Sequence, residues 1–264
     1  MATRQRLGAA YGFIVGILRP LLMVFTKRDW RGAEHLPPHG TGVVIMPNHL
    51  SHTDFMTAAH YLLDNGRIPR FLAKESLFRI PLIGRLIRAC RQIPVYRGTA
   101  QASNAYRDAV AAVKAGECVV IYPEGTLTRD PDLWPMQGKT GAARVALETG
   151  CAVLPLAQWG PQDLLAPYSA RLRLLPRKTM RLTLGPPVDL SDVAGRPITA
   201  ETVRAATDRL VDALTAGLAD IRGEEPPAHR YVLGSEKARD VPGEPPGDAD
   251  SGRPPSPDSR KDEP

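Results

Sequence analysis

From residue 42 onward the chain alternates short apolar runs with stretches of helical spacing, and this alternation leaves few folds open. Strand-like runs fall at 42–46, 70–73, 92–96, 118–122, 152–157 and 180–184. Several are apolar throughout, as strands covered on both faces are. Helices are expected between them at 54–63, 81–89, 100–115, 141–149 and 200–221. The third of these sets Tyr106, Val110 and Val113 at helical spacing, and the last carries Val203, Leu210, Leu214, Leu218 and Ile221 on one stripe. The order predicts a single α/β sandwich domain over residues 29–222, built on a largely parallel or mixed central sheet flanked by helices. A domain of that size buries most of its apolar surface without a staple. The three cysteines, Cys90, Cys118 and Cys151, are too few and too scattered for a disulfide framework or a zinc site, and no metal cluster with ligand spacing is visible.

Both flanks differ from this domain. Residues 1–28 hold an apolar run of about 12 residues, then Arg19-Pro20, a second run L-L-M-V-F, and Lys27-Arg28. Neither run reaches the roughly 20 residues that span a bilayer. No small-residue cleavage site follows, so a signal peptide is not the expectation. The pattern suits a kinked pair of short helices, a hairpin docked in a membrane interface, with packing of one amphipathic helix on the domain as the alternative. At the other end, residues 223–264 hold nine of the 26 prolines among Gly, Ser and mixed charge. A segment so poor in aliphatics is expected to be disordered.

The net charge of +6 conceals an asymmetry: residues 1–222 carry +10 and the tail −4. A basic body points to an anionic partner, such as an anionic membrane surface or a phosphorylated small molecule. Nucleic acid is excluded as the expected partner, because finger spacing and recognition aromatics are absent and only 6% of residues are aromatic.

Two polar turns carry the chemistry. N-H-L-S-H-T-D at 48–54 follows the apolar run G-V-V-I-M-P, and Pro123-Glu124-Gly125-Thr126 follows C-V-V-I-Y. Ligands of open α/β sheets collect beyond the carboxyl ends of strands, so two such turns on neighbouring strands would build one pocket. On a regular helix His49 and Asp54 would diverge. They meet only if His49 sits in a turn and Asp54 in the first turn of the helix that follows, with Ser51 as the expected N-cap. An acidic residue at a helix start also has a purely structural explanation, and the local pattern alone leaves both readings open.

The H-x4-D pattern followed by P-E-G-T resembles the glycerolipid acyltransferases, the 1-acyl-sn-glycerol-3-phosphate acyltransferase family. F-L-A-K-E-S-L-F at 71–78, Q-I-P-V-Y-R-G at 92–98 and V-L-P-L-A at 153–157 resemble the family's remaining blocks, so the likeness covers roughly residues 28–190. The resemblance implies transfer of a fatty acyl group from acyl-CoA or acyl carrier protein to the free hydroxyl of lysophosphatidic acid or a related lysophospholipid. No cofactor is implied, and the implied location is the cytoplasmic face of the cell membrane, peripheral or monotopic. It makes His49 the general base, oriented by Asp54, with His52 as the competing base. It makes Lys74, Arg97 and the Glu124-Gly125-Thr126 turn the binding set for the acceptor. One position departs from the family: Leu127 stands where an arginine is usual, and Arg129 or Lys139 is the nearest replacement cation. A non-catalytic lipid-binding module and an acyl-thioester hydrolase are the rival readings; the absence of a G-x-S-x-G elbow counts against the hydrolase.

Overall fold

Each of the six expected strands is present to within two residues in the computed structural model, which describes residues 8–96 and 102–234. They are β2 (Val43–Pro47), β3 (Pro69–Lys74), β4 (Ile93–Val95), β5 (Cys118–Val120), β6 (Ala152–Trp159) and β7 (Lys178–Leu184). A seventh, β1 (Thr26–Arg31), was not expected, because its sequence T-K-R-D-W-R has neither an apolar run nor clean alternation. Among the described residues they form one mixed sheet in the order β1-β7-β6-β2-β5-β3-β4. The pairing of β6 with β7 is antiparallel and all others are parallel.

The apolar runs have two destinations because successive side chains of a strand point to opposite faces. Val44 and Met46 of β2 face one core with Val119 of β5 and Val153 of β6; Val43 and Ile45 face the other with Val120 and Leu154. The first core is covered by α5 (Ala102–Lys114), α6 (Gly141–Thr149) and α8 (Ala200–Arg222). The second is covered by α2 (Asp54–Asp64), which inserts Tyr61 and Leu62, with α7 (Pro161–Leu164) beside it. The result is a three-layer sandwich. Helix α8 is the longest cover: Thr199 accepts the Thr202 amide at its start, Gly223 closes it in the left-handed region, and Val203, Leu210, Leu214 and Leu218 are buried along it.

The N-terminal expectation needs correction. Residues 9–25 form one helix, α1 (Ala9–Phe25), rather than a kinked pair. Pro20 lies inside it, and the run L-L-M-V-F is its last turn and a half rather than a second helix. The reason is β1, which begins at Thr26 and pairs with β7, leaving no length for a hairpin. A domain boundary at residue 28 would cut this strand. Three polar contacts hold α1 on the body: the Tyr11 hydroxyl donates to the Pro69 carbonyl (3.1 Å), Arg19 Nε meets Asp64 Oδ1 (2.9 Å), and Arg177 donates to the Met23 carbonyl (2.8 Å). Two short helices, α3 (Glu75–Arg79) and α4 (Ile83–Ala89), make an elbow beside it, with α1 packed on α4.

Residues 223–234, part of the segment expected to be disordered, are ordered. Arg230 pairs with Asp208 and Asp212 on α8, and the Gln137 amide donates to the Tyr231 carbonyl (2.9 Å), so the segment to residue 234 is tied to the body. Residues 235–264, which hold the rest of the expected disordered tail, lie outside the described residues.

Leu210 is fully buried against the sheet. Leu210→Ala should lower stability by about 2–5 kcal/mol, read as a lower urea midpoint.

Candidate active site

Strands β2 and β5 are parallel neighbours, so the turns that leave their carboxyl ends emerge side by side. The first turn is held from three sides. Asn48 Nδ2 donates to the Gln158 carbonyl (3.0 Å) while Gln158 returns its backbone N–H to Asn48 Oδ1 (2.8 Å), fastening the turn to β6. The His49 N–H donates to Glu124 Oε1 (3.0 Å), and the His49 carbonyl accepts from the Thr128 amide (2.8 Å). These bonds tie the backbone of the turn to both neighbouring strands.

Asp54 is the first residue of α2 and is fully buried. Its Oδ2 accepts from the amides of Leu50 (2.8 Å) and Ser51 (3.1 Å) and lies 2.8 Å from His49 Nδ1. A carboxylate only accepts, so Nδ1 carries the proton and Nε2 is the basic nitrogen of the ring. Ser51 is not the N-cap that was expected; Thr53 holds that place. The Ser51 hydroxyl accepts the Thr53 amide (3.1 Å) and donates to the Leu165 carbonyl (2.7 Å), which leaves it fully buried and committed to the turn. His52 is exposed on the same cleft, while Asp54 Oδ2 is already engaged by His49.

His49 opens onto a cleft of about 1280 Å³. Its floor is the strand ends, and its far wall is α1 with Ile14, Val15, Leu18 and Leu22. Phe55, Met56 and Leu63 of α2 make an adjoining apolar side. Cations stand at the strand edge: Lys74 ends β3, itself parallel to β5, and Lys139 reaches the same cleft. Lys139 lies over Gly125, whose φ is +67°, and a Cβ there would come within 2.9 Å of the lysine Nζ.

The expected binding residues divide into three groups. Lys74, Gly125 and Thr126 line the cleft with His49. Glu124 does not: it is 2% exposed and turned inward, accepting from the His49 and Met136 amides (3.0 and 3.1 Å). It braces the two turns, because a carboxyl group turned into the interior takes its partners from the backbone amides there. Arg129 is not among the residues that line the cleft, whereas Lys139 is. The Gly125 N–H donates to the Tyr122 carbonyl (3.2 Å), so it offers the cleft no amide. Arg97 lies outside the described residues. Sequence reasoning missed Tyr122, Asn48 and Gln158. The aromatic directly before P-E-G-T and the Asn directly before His49 were the available signals.

The chain is thus an α/β sandwich with polar turns at the carboxyl edge of its sheet, a His–Asp pair at one turn and an apolar cleft in front. The comparison with known families agrees: the Acyltransferase family model matches residues 27–159, half of the chain, and the chain belongs to that family. It is 34% identical over 137 residues to a chloroplast 1-acyl-sn-glycerol-3-phosphate acyltransferase of Brassica napus, spanning 52% of this chain but only 38% of that relative's length. It is 28% identical over 203 residues to the 1-acyl-sn-glycerol-3-phosphate acyltransferase of Bacillus subtilis, covering 76% of this chain and 92% of that one. The crystal structure of the 1-acyl-sn-glycerophosphate acyltransferase from Thermotoga maritima shares the fold with a TM-score of 0.58 at 21% identity, over 80% and 82% of the two chains.

Burial pushes the Glu124 carboxyl up to about 8, against the pull of the Met136 and His49 amides. The folded chain therefore keeps a proton there that an unfolded chain has lost, and this residue's contribution to stability declines as pH rises toward 8. The urea midpoint of the wild type minus that of Glu124→Gln, which does not titrate, should fall between pH of about 5 and about 8. A flat difference would contradict the shift.

Proposed function

We propose that this protein transfers a fatty acyl group from acyl-CoA or acyl carrier protein to the free hydroxyl of lysophosphatidic acid, forming phosphatidic acid. The observation that carries the reading is the 2.8 Å contact of His49 Nδ1 with a buried Asp54, at the mouth of an apolar cleft with lysines at its strand edge. The relatives from Brassica napus and Bacillus subtilis are named for this activity. His49 Nε2 takes the proton of the acceptor hydroxyl as its oxygen attacks the thioester carbonyl carbon. The C–S bond then breaks, and the departing sulfur takes the proton back from Nε2. Asp54 fixes the tautomer and stabilises the transient imidazolium. Ser51, with its hydroxyl engaged in the turn, serves structure, and the transfer is direct rather than through an acyl-enzyme. Lys74 and Lys139 meet the acceptor phosphate, Lys139 standing in for the arginine that Leu127 replaces. The apolar wall of α1 and α2 takes the acyl chains.

The same reading places the protein on the cytoplasmic face of an anionic membrane as a peripheral or monotopic protein. No helix among the described residues is long and apolar enough to cross a bilayer. Helix α1, however, is apolar all round. One side lines the cleft, and the other exposes Phe13 (63%), Ile17, Leu21 and Val24. With the elbow, whose tip is Leu82 at 76% exposure, it holds nine of the fifteen exposed large apolar side chains of the described residues. Lys74, Arg79, Arg85, Arg88 and Arg91 surround the elbow against a single acidic residue of that stretch, Glu75. An apolar face rimmed by cations suits shallow insertion among anionic headgroups.

Vesicles carrying lysophosphatidic acid and supplied with acyl-CoA, then with acyl carrier protein thioester, test the chemistry through release of free thiol. Acceptor-dependent release is expected, reduced about 10²–10⁴-fold by His49→Ala and nearly as much by Asp54→Asn. Release without acceptor would make the protein a thioester hydrolase, and none with either donor would leave a lipid-binding module. For the membrane reading, the double change Phe13→Glu and Leu82→Glu should weaken co-sedimentation with anionic vesicles roughly tenfold or more. Unchanged sedimentation would remove these elements from the contact.

A further inference from the structure

Tyr122 leaves β5 directly before Pro123 and packs its ring on His49, with centroids 4.3 Å apart and planes inclined at 33°. The ring lines the cleft, yet the hydroxyl is buried and makes no hydrogen bond. Asp54 carries the matching deficit. Its Oδ2 has three partners, while its Oδ1, equally buried, has none. A donor and an acceptor left without partners, on two side chains that both touch one imidazole, form a costly arrangement unless they come to serve each other. Gln158, the other polar side chain near the phenol, is already engaged: Nε2 donates to the Asn48 carbonyl (2.7 Å) and Oε1 accepts from Thr57 (3.0 Å). Burial, with the Asp54 charge adding to it, raises the phenol well above its ordinary range, so it stays protonated as a donor.

We propose that Tyr122 is a positioning residue for the His49–Asp54 pair: its ring fixes the imidazole plane, and its O–H donates to Asp54 Oδ1 as the imidazolium forms. The inference deepens the acyl-transfer reading and rests on it for the rate effect alone. The hydroxyl keeps the carboxylate from rotating off Nδ1 and draws part of its charge away from the imidazole. The ring face acts in the opposite sense, since its π electrons favour the cationic imidazole. The groups that face His49 are the Asp54 carboxylate from α2, the Tyr122 ring from the end of β5, and Glu124 through the His49 amide. His52, Lys74 and Lys139 border the same cleft.

Two variants separate hydroxyl from ring. Tyr122→Phe should lower kcat/KM roughly tenfold, with the loss in kcat and little change in KM, and should move the acid limb of its pH profile upward. Tyr122→Leu should lose more activity and carry the acid limb below that of Tyr122→Phe. Histidine-selective ¹⁵N NMR of the folded proteins reads the same two displacements of the His49 titration without turnover. If the wild type transfers no acyl group but the NMR displacements appear, the positioning role stands and the acyl-transfer reading fails. If both variants match the wild type in pH profile and in NMR titration, Tyr122 is only a packing residue and the proposal is overturned.

Discussion

The site depends on one buried carboxylate. Asp54 sits at the start of α2 with a single oxygen gathering two backbone amides and an imidazole. A charge in that position is tolerated only with such partners, and removing them would leave it uncompensated in the interior. The geometry of residues 48–54 follows from this. Leu50 and Ser51 must turn their N–H groups inward, which bends the chain between strand and helix and swings His49 back over the carboxylate. The clamps from Glu124 and from the Asn48–Gln158 exchange then fix that bend to β5 and β6, the neighbours of β2 on either side.

Sheet order matters as much as the pair. Because β2, β5 and β3 are adjacent and parallel, His49, the turn at 122–126 and Lys74 emerge along one edge despite lying up to seventy-seven positions apart in the chain. The antiparallel β7 and its partner β1 extend the sheet on the other side, and β1 begins one residue after α1 ends. This short passage sets α1 across the cleft, where its Arg19 meets Asp64 at the far end of the helix that starts with Asp54.

The sequence made the frame legible where a strong period was at work. Runs such as V-V-I-M and C-V-V-I admit little but buried strands, and α8 announces itself by stripe and cap. The His–Asp approach was readable as a condition, since a turn followed by a helix start is the one local geometry that closes it. What escaped was set by partners distant in the chain. β1 is a strand only because β7 offers it a ladder, and α1 is one helix only because β1 takes up the chain at Thr26. Glu124 reads as a site residue by position, yet its direction is decided by amides at 49 and 136. Arg129 and Lys139 were indistinguishable as replacement cations until the fold brought Lys139, and not Arg129, to the cleft beside Gly125.

Helix α1 has no buried residue and two apolar sides, one walling the cleft and the other facing outward. Under the proposed reading, a single rod of seventeen residues shapes both the space available to the fatty chain and the surface offered to lipid. The two properties cannot drift independently: a slip or roll of that rod by one residue exchanges inner for outer side chains. Chain preference and lodging in lipid would change together, so variants of one are expected to be variants of the other.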